Sequence, residues 1–279
     1  MNEEFLWNYF ICPNCKNKLE KGFLCKQCNT KYSKEKGVIN LLPKNLNKEE
    51  KSEIKRFSKS ISKKVDLKIF ESIPTVKNFN ETIKPEIEKK KLKILDIGSG
   101  AVVIGRLFKN INKKSIVFAC DLSKERLEDV DIFEKYGQVD FKVLATINNL
   151  PFKNETFDYI IGSSILHHTK NLDSFISEIK RVLKKGGKYI GFNEPFGNSF
   201  LKKLQDQRFK GLTEVIRTKK DYEEIFKKYE FSNKIRIVEN MKYQKPSHKL
   251  LYIYYMMIKL LPKNLKEKLG GNLTIQAKK

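Results

Sequence analysis

The sequence predicts an α/β fold, in which a Rossmann-like, doubly wound sheet is preceded by a small cysteine-rich ribbon. Two observations support this fold class. Four of the five cysteines lie between residues 12 and 28, and from residue 91 onwards apolar, strand-like runs alternate with amphipathic helical stretches. Such alternation is typical of a mostly parallel sheet with helices on both faces. With 279 residues, 40% of them hydrophobic, the chain is long enough to bury a full core.

The cysteine-rich segment, residues 1–43, is predicted to be a zinc ribbon. Its cysteines follow the spacing C-x2-C-x9-C-x2-C, and two residues between thiolates allow a tight turn that aims both sulfurs at one ion. Two such turns complete a tetrahedron without an open position, which indicates a structural zinc and not a catalytic one. An iron site or a disulfide framework are the alternatives, and the lack of any mark of secretion argues against disulfides. The predicted ligands are Cys12, Cys15, Cys25 and Cys28.

Residues 44–90 are predicted to form a linker and the first helix that covers the following domain. This segment is rich in charge, and its apolar residues recur at helical intervals, with interruptions near Pro74 and Pro85. One or two helices fit the pattern. The apolar positions are Ile54, Phe57, Ile61, Val65 and Ile69.

Residues 91–279 are predicted to form the main α/β domain. The pattern places the Gly186-Gly187 pair at the end of its third helix, and Cys120 at the end of a strand as a buried apolar residue. Ligands of such sheets bind beyond the carboxyl ends of the strands. The predicted strands cover residues 91–98, 115–121, 139–145, 157–163, 187–193, 234–243 and 270–279, and the predicted helices cover residues 102–111, 124–137, 172–187 and 219–231.

The end of the first predicted strand carries a candidate nucleoside site. It reads Asp96-Ile97-Gly98-Ser99-Gly100, and the glycines allow a sharp turn and the close approach of a ligand. Asp121 ends the second strand, 21 residues after Gly100. A carboxylate at that position can accept hydrogen bonds from both ribose hydroxyls.

Four ordered motifs link residues 91–195 to a known family. D-I-G-S-G, L-P-F-x-x-x-x-F-D, L-H-H and R-V-L-K-x-G-G resemble class I S-adenosylmethionine-dependent methyltransferases, in particular the type-11 group that includes ubiquinone and menaquinone biosynthesis C-methyltransferases. The resemblance implies a seven-stranded sheet and S-adenosyl-L-methionine as cofactor. It implies that Asp96 supports the methionine amino group, that Gly98 and Gly100 lie under the methionine, and that Asp121 holds the ribose. The other implied cofactor contacts are Ser99, Leu122, Thr146, Ile147 and Ser163.

The sequence departs from this family pattern at two positions. Val102 stands where the family commonly has a third glycine, although Gly105 follows one turn later. Thr146 stands where the family often has an aspartate that contacts the adenine amine, and Thr146 brings no charge. Both departures raise the hypotheses of weak cofactor binding and of a protein that has lost its activity.

The ribbon resembles a second family. C-P-x-C-x-x-x-L, C-x-x-C-x-x-x-Y and G-V-I-x-L-L-P are similar to the small zinc-binding adaptors that partner methyltransferases of tRNA, rRNA and a translation factor. Similar ribbons also precede some bacterial methyltransferases, including zinc-dependent rRNA guanine enzymes.

Two residues after the fourth and fifth strands are candidate catalytic groups. His168 occupies the histidine of the family's L-x-H motif, where it either reaches the acceptor or braces the following helix. Glu194 follows the fifth strand, where it either lies at the rim of the acceptor site or is a hydrogen-bonded loop carboxylate. A general base is needed only if the acceptor is protonated.

The net charge of the chain and its distribution bear on the choice of substrate. The formal net charge is +24, and half of it falls in residues 196–279, which overlap the predicted substrate-shaping region, 194–268. We expect a small-molecule acceptor, anionic or amphipathic and lipid-linked or a glycan. RNA is the alternative, because cations attract phosphates, but only seven of the 57 cations are arginine. A non-catalytic docking module is the second alternative.

The sequence predicts neither a secreted nor a membrane-spanning protein. The N-terminus is acidic, unlike a signal peptide. The longest apolar run is about a dozen residues, fewer than the roughly 20 that cross a bilayer. We therefore expect a cytoplasmic protein without a transmembrane segment. Residues 249–261 are either an interfacial helix that touches anionic lipid or a helix of the core.

Overall fold

A computed structural model shows the predicted α/β architecture. The structure describes residues 3–57, 74–87, 91–100, 102–128, 137–198, 215, 217–238, 260, 262, 265, 268 and 270–279. Several predicted features lie partly outside these residues: the helical positions Ile61, Val65 and Ile69, residues 129–136 of the helix predicted for 124–137, residues 239–243 of the sixth predicted strand, the apolar stretch 249–261 apart from Leu260, and more than half of the substrate-shaping region 194–268.

The ribbon begins with a 3-10 helix, Glu3–Tyr9, followed by two small antiparallel hairpins. The first hairpin joins β1 (Leu24–Cys25) to β2 (Thr30–Lys31), and the second joins β3 (Ser33–Glu35) to β4 (Val38–Asn40). These are the short strands expected around a metal. Strand β4 falls in the G-V-I-x-L-L-P motif, and its Val38 and Ile39 are buried.

All seven predicted strands of the main domain are present. In sheet order they run 3-2-1-4-5-7-6 by their position along the chain, and only the seventh is antiparallel to its neighbours. The reversal between the first and fourth strands leaves a crevice at their carboxyl ends. The strands are β5 (Lys93–Ile97), β6 (Ile116–Asp121), β7 (Phe141–Leu144), β8 (Phe157–Ser163), β9 (Leu183–Gly197), β10 (Ser232–Val238) and β11 (Gly270–Lys278).

The ribbon extends this sheet. Strand β4 pairs in parallel with β7, with Val38 opposite Lys142 and Asn40 opposite Leu144, and the Leu41 N–H donates to the Leu144 carbonyl at 2.9 Å. Within the described residues the sheet therefore has nine strands, seven from the main domain and two from the ribbon. The edge of β7, which would otherwise present unpaired backbone groups, is covered by the same chain.

Seven α-helices are described, and three of them begin at a side-chain cap. The Asn47 side chain accepts from the Glu50 N–H while the Glu50 carboxylate accepts from the Asn47 N–H, which forms a capping box. Thr218 and Asp221 form another, and Asn171 caps a third helix. The helices are α1 (Lys48–Phe57), α2 (Pro74–Thr82), α3 (Lys84–Ile87), α4 (Val103–Ile111), α5 (Lys124–Glu128), α6 (Leu172–Val182) and α7 (Lys219–Lys228).

The predicted end of α6 was wrong by several residues. The sequence placed it at Gly186-Gly187, but the helix ends at Val182 because Leu183 pairs with Phe157 of β8 and starts the next strand. Gly186 instead lies within β9, between Leu183 and Lys188 where the pairing with β8 is irregular. Its φ is 73°, and its N–H donates to the Lys279 carbonyl.

Hydrophobic clusters cover both faces of the sheet. One contains Phe118, Phe152 and Phe157 of the main domain together with Phe10 and Leu19 of the ribbon. The other lies beneath α2 to α4. Cys120 is fully buried in the first cluster, as predicted. Among the described residues, no helix is long and apolar enough to cross a bilayer.

Candidate functional site

A cavity of about 310 Å³ opens where the carboxyl ends of β5, β6, β7 and β8 meet. It lies at the switch point of the sheet, where ligands of doubly wound folds bind. Seven of the predicted site residues line it: Gly98, Asp121, Leu122, Thr146, Ile147, Ser163 and His168. The remaining lining residues are Glu49, Glu50, Glu53, Ser123, Arg126, Asn148, Ser164, Ile165, Thr169 and Lys170.

The loop after β5 forms one wall of the cavity. Gly98 and Gly100 have φ of 56° and 52°, in the left-handed region that favours glycine. A Cβ on Gly98 would lie 2.2 Å from Cδ1 of Ile165. Between the glycines, the Ser99 N–H donates to the Cys120 carbonyl at 3.0 Å. Ser99 and Gly100 thus shape the loop and are not among the described lining residues.

Val102, the first departure from the family pattern, also has a left-handed backbone, with φ of 60° and ψ of 32°. This conformation costs a non-glycine residue roughly 1–2 kcal/mol. The Val102 side chain is fully buried in a cluster with Val38 of the ribbon, Ala119, Leu127 and Leu144. Burial of a valine contributes about 1.5–3 kcal/mol, so packing against the ribbon offsets the backbone strain.

Asp96 lies beneath the glycine loop. It is not among the residues that line the cavity. One carboxylate oxygen, Oδ2, accepts from the Gly105 N–H at 2.8 Å, which fixes the first turn of α4. Burial raises the pKa of Asp96 to about 7, the Gly105 N–H opposes this shift, and the charge of Asp121 adds to it. Glycine suits position 105 because a Cβ there would lie only 3.0 Å from Oδ2.

The raised pKa of Asp96 predicts a pH-dependent stability. In the folded protein Asp96 keeps its proton up to about pH 7, whereas the ordinary pKa is 3.8. Protonated Asp96 therefore stabilises the folded protein fully below about pH 4. This stabilisation is lost as the pH rises to about 7, and the free energy of unfolding falls by up to about 1.4 kcal/mol per pH unit. We expect Asp96→Asn to lack this slope in urea unfolding between pH 4 and pH 7. Parallel curves for the two proteins would contradict the prediction.

Asp121 joins the end of β6 to the glycine loop and faces the cavity. Its carboxylate accepts from the Gly100 N–H and from the Ser123 N–H, both at 2.8 Å. Burial raises its pKa, which those two N–H groups and the charge of Arg126 oppose. Asp121 thus ends β6 at the cavity, and its role as the acceptor for the ribose hydroxyls stays a prediction.

The loop after β7 presents unused polar atoms to the cavity. Oγ1 of Thr146 and Oδ1 of Asn148 are buried and have no hydrogen-bond partner among the described residues. Buried polar atoms in folded proteins are almost always hydrogen-bonded, so these two oxygens indicate a ligand with donors. Asn148 was not predicted as a site residue. Thr146, in the same loop, stands where type-11 methyltransferases often have an aspartate.

The L-P-F and R-V-L motifs, which are far apart in the sequence, hold this loop together. Arg181 donates to the carbonyl of Phe152 at 2.6 Å and to that of Leu150 at 2.8 Å. Glu178 accepts from Arg181 at 2.7 Å and from the Leu150 N–H at 2.7 Å. The guanidinium and the carboxylate thus fix the chain immediately after Thr146 and Asn148.

His168 and Glu194, the two candidate catalytic residues, lie in different places. His168 ends the 3-10 turn Leu166–His168 and lines the cavity. Glu194 is fully buried inside β9 and accepts from the N–H groups of Ile165 and Leu166, at 2.7 and 3.1 Å. It is also 3.4 Å from Nδ1 of His167. Glu194 is therefore a hydrogen-bonded carboxylate, the second of the two roles that the sequence allowed. It supports the turn that carries His168.

Helix α1 supplies site residues that the sequence did not reveal. Glu49, Glu50 and Glu53 line the cavity, so the segment predicted as a linker and covering helix lies over the strand ends. No motif marks these glutamates. The Asn47–Glu50 capping signal could have located the start of α1, but not the cavity that the helix covers.

The four ribbon cysteines converge as predicted. Their sulfur atoms all lie within 4.8 Å of one another, with Cys12 to Cys28 at 3.5 Å and Cys15 to Cys25 at 3.4 Å. A zinc–sulfur distance of about 2.3 Å places tetrahedral ligands about 3.8 Å apart, so the donor set fits zinc. The backbone N–H of Asn17 lowers the pKa of Cys15 to about 6, which favours the thiolate form that binds metals.

The ribbon contacts the loop beside the cavity directly. The Ile11 N–H donates to the Pro151 carbonyl at 3.0 Å, and the Lys153 N–H donates to the Tyr9 carbonyl at 3.0 Å. Asn149 donates to the Pro13 carbonyl at 2.8 Å and accepts from the ammonium of Lys16. The segment that carries Thr146 and Asn148 is therefore held between the ribbon and the Arg181–Glu178 pair.

Comparison with known proteins supports the fold and the motifs. The family described as "Methyltransferase domain" matches residues 95–191. An uncharacterised protein of Methanocaldococcus jannaschii is 39% identical over 137 residues, which are 46% of this chain and 60% of that protein. The ubiquinone/menaquinone biosynthesis C-methyltransferase of Wigglesworthia glossinidia brevipalpis is 34% identical over 120 residues, which are 41% of this chain and 48% of that enzyme. The chain thus spans about half the length of these curated relatives.

A solved structure shows the same fold. The geranyl diphosphate C-methyltransferase from Streptomyces coelicolor A3(2) superposes with a TM-score of 0.60 at 12% identity, over 85% of this chain and 99% of that one. The strand order, the position of the cavity at the strand ends and the family match over residues 95–191 all indicate the same fold. Residues 95–191 match the methyltransferase-domain family, and the chain has the fold of this methyltransferase structure.

Proposed function

We propose that this protein transfers a methyl group from S-adenosyl-L-methionine to a small-molecule acceptor. The observation that carries the proposal is the convergence of Gly98, Asp121, Thr146 and Asn148 on one cavity, two of them with buried oxygens that lack a partner among the described residues. These residues fit the cofactor: Gly98 leaves room for the methionine, Asp121 accepts from the ribose, and Thr146 with Asn148 accepts from the adenine amine. Ile147 packs beside the adenine.

When bound, the cofactor supplies an electrophilic methyl on a sulfonium. The protein contributes position and a dry environment, which account for most of the acceleration of a direct displacement. Helix α1 covers the strand ends, and His168 and Ser164 line the same cavity. An acceptor held between them would be shielded from water.

The cavity supports a small acceptor over RNA. Glu49, Glu50 and Glu53 line it, against the cations Arg126 and Lys170, and carboxylates at the mouth disfavour a polyanion. Relatives named for ubiquinone/menaquinone biosynthesis and for geranyl diphosphate act on small molecules. The carboxylates equally disfavour the anionic acceptor suggested by net charge, so an amphipathic acceptor fits best. RNA binding predicts affinity that falls steeply with salt, which filter binding measures.

We also propose that the four cysteines bind a structural zinc. The sulfur distances support this assignment, as does the position of the cluster in a ribbon that packs on the main domain. With all four positions occupied by protein, the ion has no place for a water molecule, and its role is to hold the ribbon together.

Titration calorimetry with S-adenosyl-L-methionine tests the proposed cofactor. We expect saturable binding, and we expect Asp121→Asn to weaken the affinity about 10- to 100-fold, because a charged acceptor for the ribose hydroxyls is lost. Asp173→Asn is the matched control, since Asp173 lies on α6 and pairs with Lys228. Its affinity should equal that of the wild type. Absence of binding at millimolar cofactor, in protein that retains its zinc, would contradict the proposed function.

A further inference from the structure

Helix α1 is joined across the cavity to the segment that follows the His168 turn. Nζ of Lys170 lies 2.9 Å from Oε1 of Glu49. Nδ1 of His168 lies 3.8 Å from Oε1 of Glu53. All four residues line the cavity, so these two contacts run along its mouth and not over a remote surface.

Glu53 is largely buried, and one of its carboxylate oxygens lacks a hydrogen bond within the described part of the chain. Its side chain is only 21% exposed, and Oε1 is buried without a hydrogen-bond partner among the described residues. Burial raises its pKa, which the charges of Arg56, His167 and Arg126 oppose and that of Asp121 reinforces. A buried acceptor oxygen without a partner is destabilising, and a hydrogen bond from a nearby imidazole N–H would remove that cost.

The other two glutamates of α1 are already engaged. Glu50 accepts from the Asn47 N–H in the capping box at the start of the helix. Glu49 pairs with Lys170. Glu53 is therefore the carboxylate of α1 that is placed to act on His168.

Among the described residues, the other carboxylates near His168 have hydrogen-bond partners of their own. Glu194 lies beneath the turn, and its oxygens accept from backbone N–H groups and approach His167. Asp121 accepts from Gly100 and Ser123. Arg126 also lines the cavity and opposes the upward shift in the pKa of Glu53.

We propose that Glu53 is a positioning residue that keeps the proton of His168 on Nδ1, so that Nε2 is the nitrogen that accepts a proton from the methyl acceptor. The inference rests on the proposed function, which supplies the reaction. The ring nitrogen that carries the proton is set by the hydrogen bond the ring makes. A base oriented by a third group is a recurring arrangement in catalysis. The distance of 3.8 Å is longer than a hydrogen bond, as is common for catalytic contacts without substrate.

Glu53 would assist one step, the displacement that moves the methyl group from sulfur to the acceptor. The X–H bond of the acceptor breaks, and its electron pair forms the new bond to the methyl carbon. The pair of the carbon–sulfur bond stays on sulfur, and the proton passes to Nε2 of His168. Glu53 takes no proton, and its charge stabilises the imidazolium that forms.

Nitrogen NMR of the imidazole rings tests the inference in the full-length, zinc-loaded protein. The chain has three histidines, and His168→Asn assigns the signal. At a pH where the ring is neutral, we expect wild-type His168 to carry its proton on Nδ1. We expect Glu53→Leu to change the tautomer ratio about tenfold towards Nε2–H, as the loss of a charged hydrogen bond implies. Glu53→Gln, whose amide oxygen still accepts, should restore part of the Nδ1–H form.

Glu49→Leu is the matched control, because it removes a carboxylate from the same helix and cavity without touching His168. Its tautomer ratio should be that of the wild type. The inference is overturned if wild-type His168 carries its proton on Nε2, or if Glu53→Leu leaves the ratio unchanged while S-adenosylhomocysteine still binds. Failure of the wild type to bind S-adenosylhomocysteine or S-adenosyl-L-methionine would instead overturn the proposed function, and the tautomer measurement would still be readable.

Discussion

Replacing Cys12 by Ser is expected to release the zinc and to lower the free energy of unfolding by at least about 4 kcal/mol. Structural zinc in small domains is worth about 10–16 kcal/mol of folding free energy, and Cys12 is fully buried in a cluster that also contains Phe118 of the main domain. At about 2–4 °C per kcal/mol, the melting temperature should fall by roughly 10 °C. The affinity for S-adenosyl-L-methionine should also fall, because the ribbon holds the loop that carries Thr146 and Asn148.

Cys120→Ala is the control for this experiment, since Cys120 is buried but lies outside the metal cluster. It should keep one zinc per chain, measured by elemental analysis, and should bind the cofactor as the wild type does. If Cys12→Ser kept both its zinc and its melting temperature, the four-cysteine site would be refuted. If it lost zinc but kept full cofactor affinity, the coupling between ribbon and loop would be refuted.

Phe118→Ala is expected to lower the free energy of unfolding by about 3–5 kcal/mol, the usual cost of removing a buried aromatic ring. Phe118 is fully buried in β6. Its ring centroid lies 5.3 Å from that of Tyr9 and 6.1 Å from that of Phe10, both in the ribbon. It also lies 5.7 Å from Phe152 in the loop after β7. The substitution should therefore loosen the ribbon as well as the sheet, and a chelator should remove zinc faster.

Phe79→Ala provides the comparison for Phe118→Ala. Phe79 is equally buried, but it packs against Phe108 and Phe192 on the opposite face of the sheet. We expect a similar loss in urea unfolding without a change in the rate of zinc release. Equal acceleration of zinc release in both variants would show that the ribbon responds to overall stability and not to this aromatic contact.

The elements that the sequence predicted well are those with local signals. The strands of the main domain are short, apolar and bounded by turn residues, and all seven were located. The cysteine spacing predicted that the four sulfur atoms converge, and Gly98 and Asp121 were predicted as site residues and line the cavity. Each of these features is encoded within a few residues of where it acts.

The features that the sequence missed depend on contacts between distant segments. Pairing of β4 with β7 joins residues far apart in the chain, and nothing in V-I-N specifies its partner. Glu53 reaches the cavity only because α1 lies over the strand ends. Glu194 follows an apolar strand and resembled a rim residue, but strand β9 continues through it, which buries the carboxylate under the Leu166 turn. The strain at Val102 is likewise understandable only when its packing against Val38 is known.

Because β4 pairs with β7, the order in which the chain is synthesised matters. Val38 leaves the ribosome 104 residues before its partner Lys142 (142 minus 38), which corresponds to roughly 5–20 s of translation. During that interval β4 has no partner on the side that β7 later occupies. On its other side β4 already pairs with β3 in the hairpin. If the proposed zinc is absent while the chain is made, β4 is not in place to cover β7, and the edge of β7 stays open. We therefore expect zinc starvation during expression to lower the yield of soluble protein more than chelation after folding lowers its solubility.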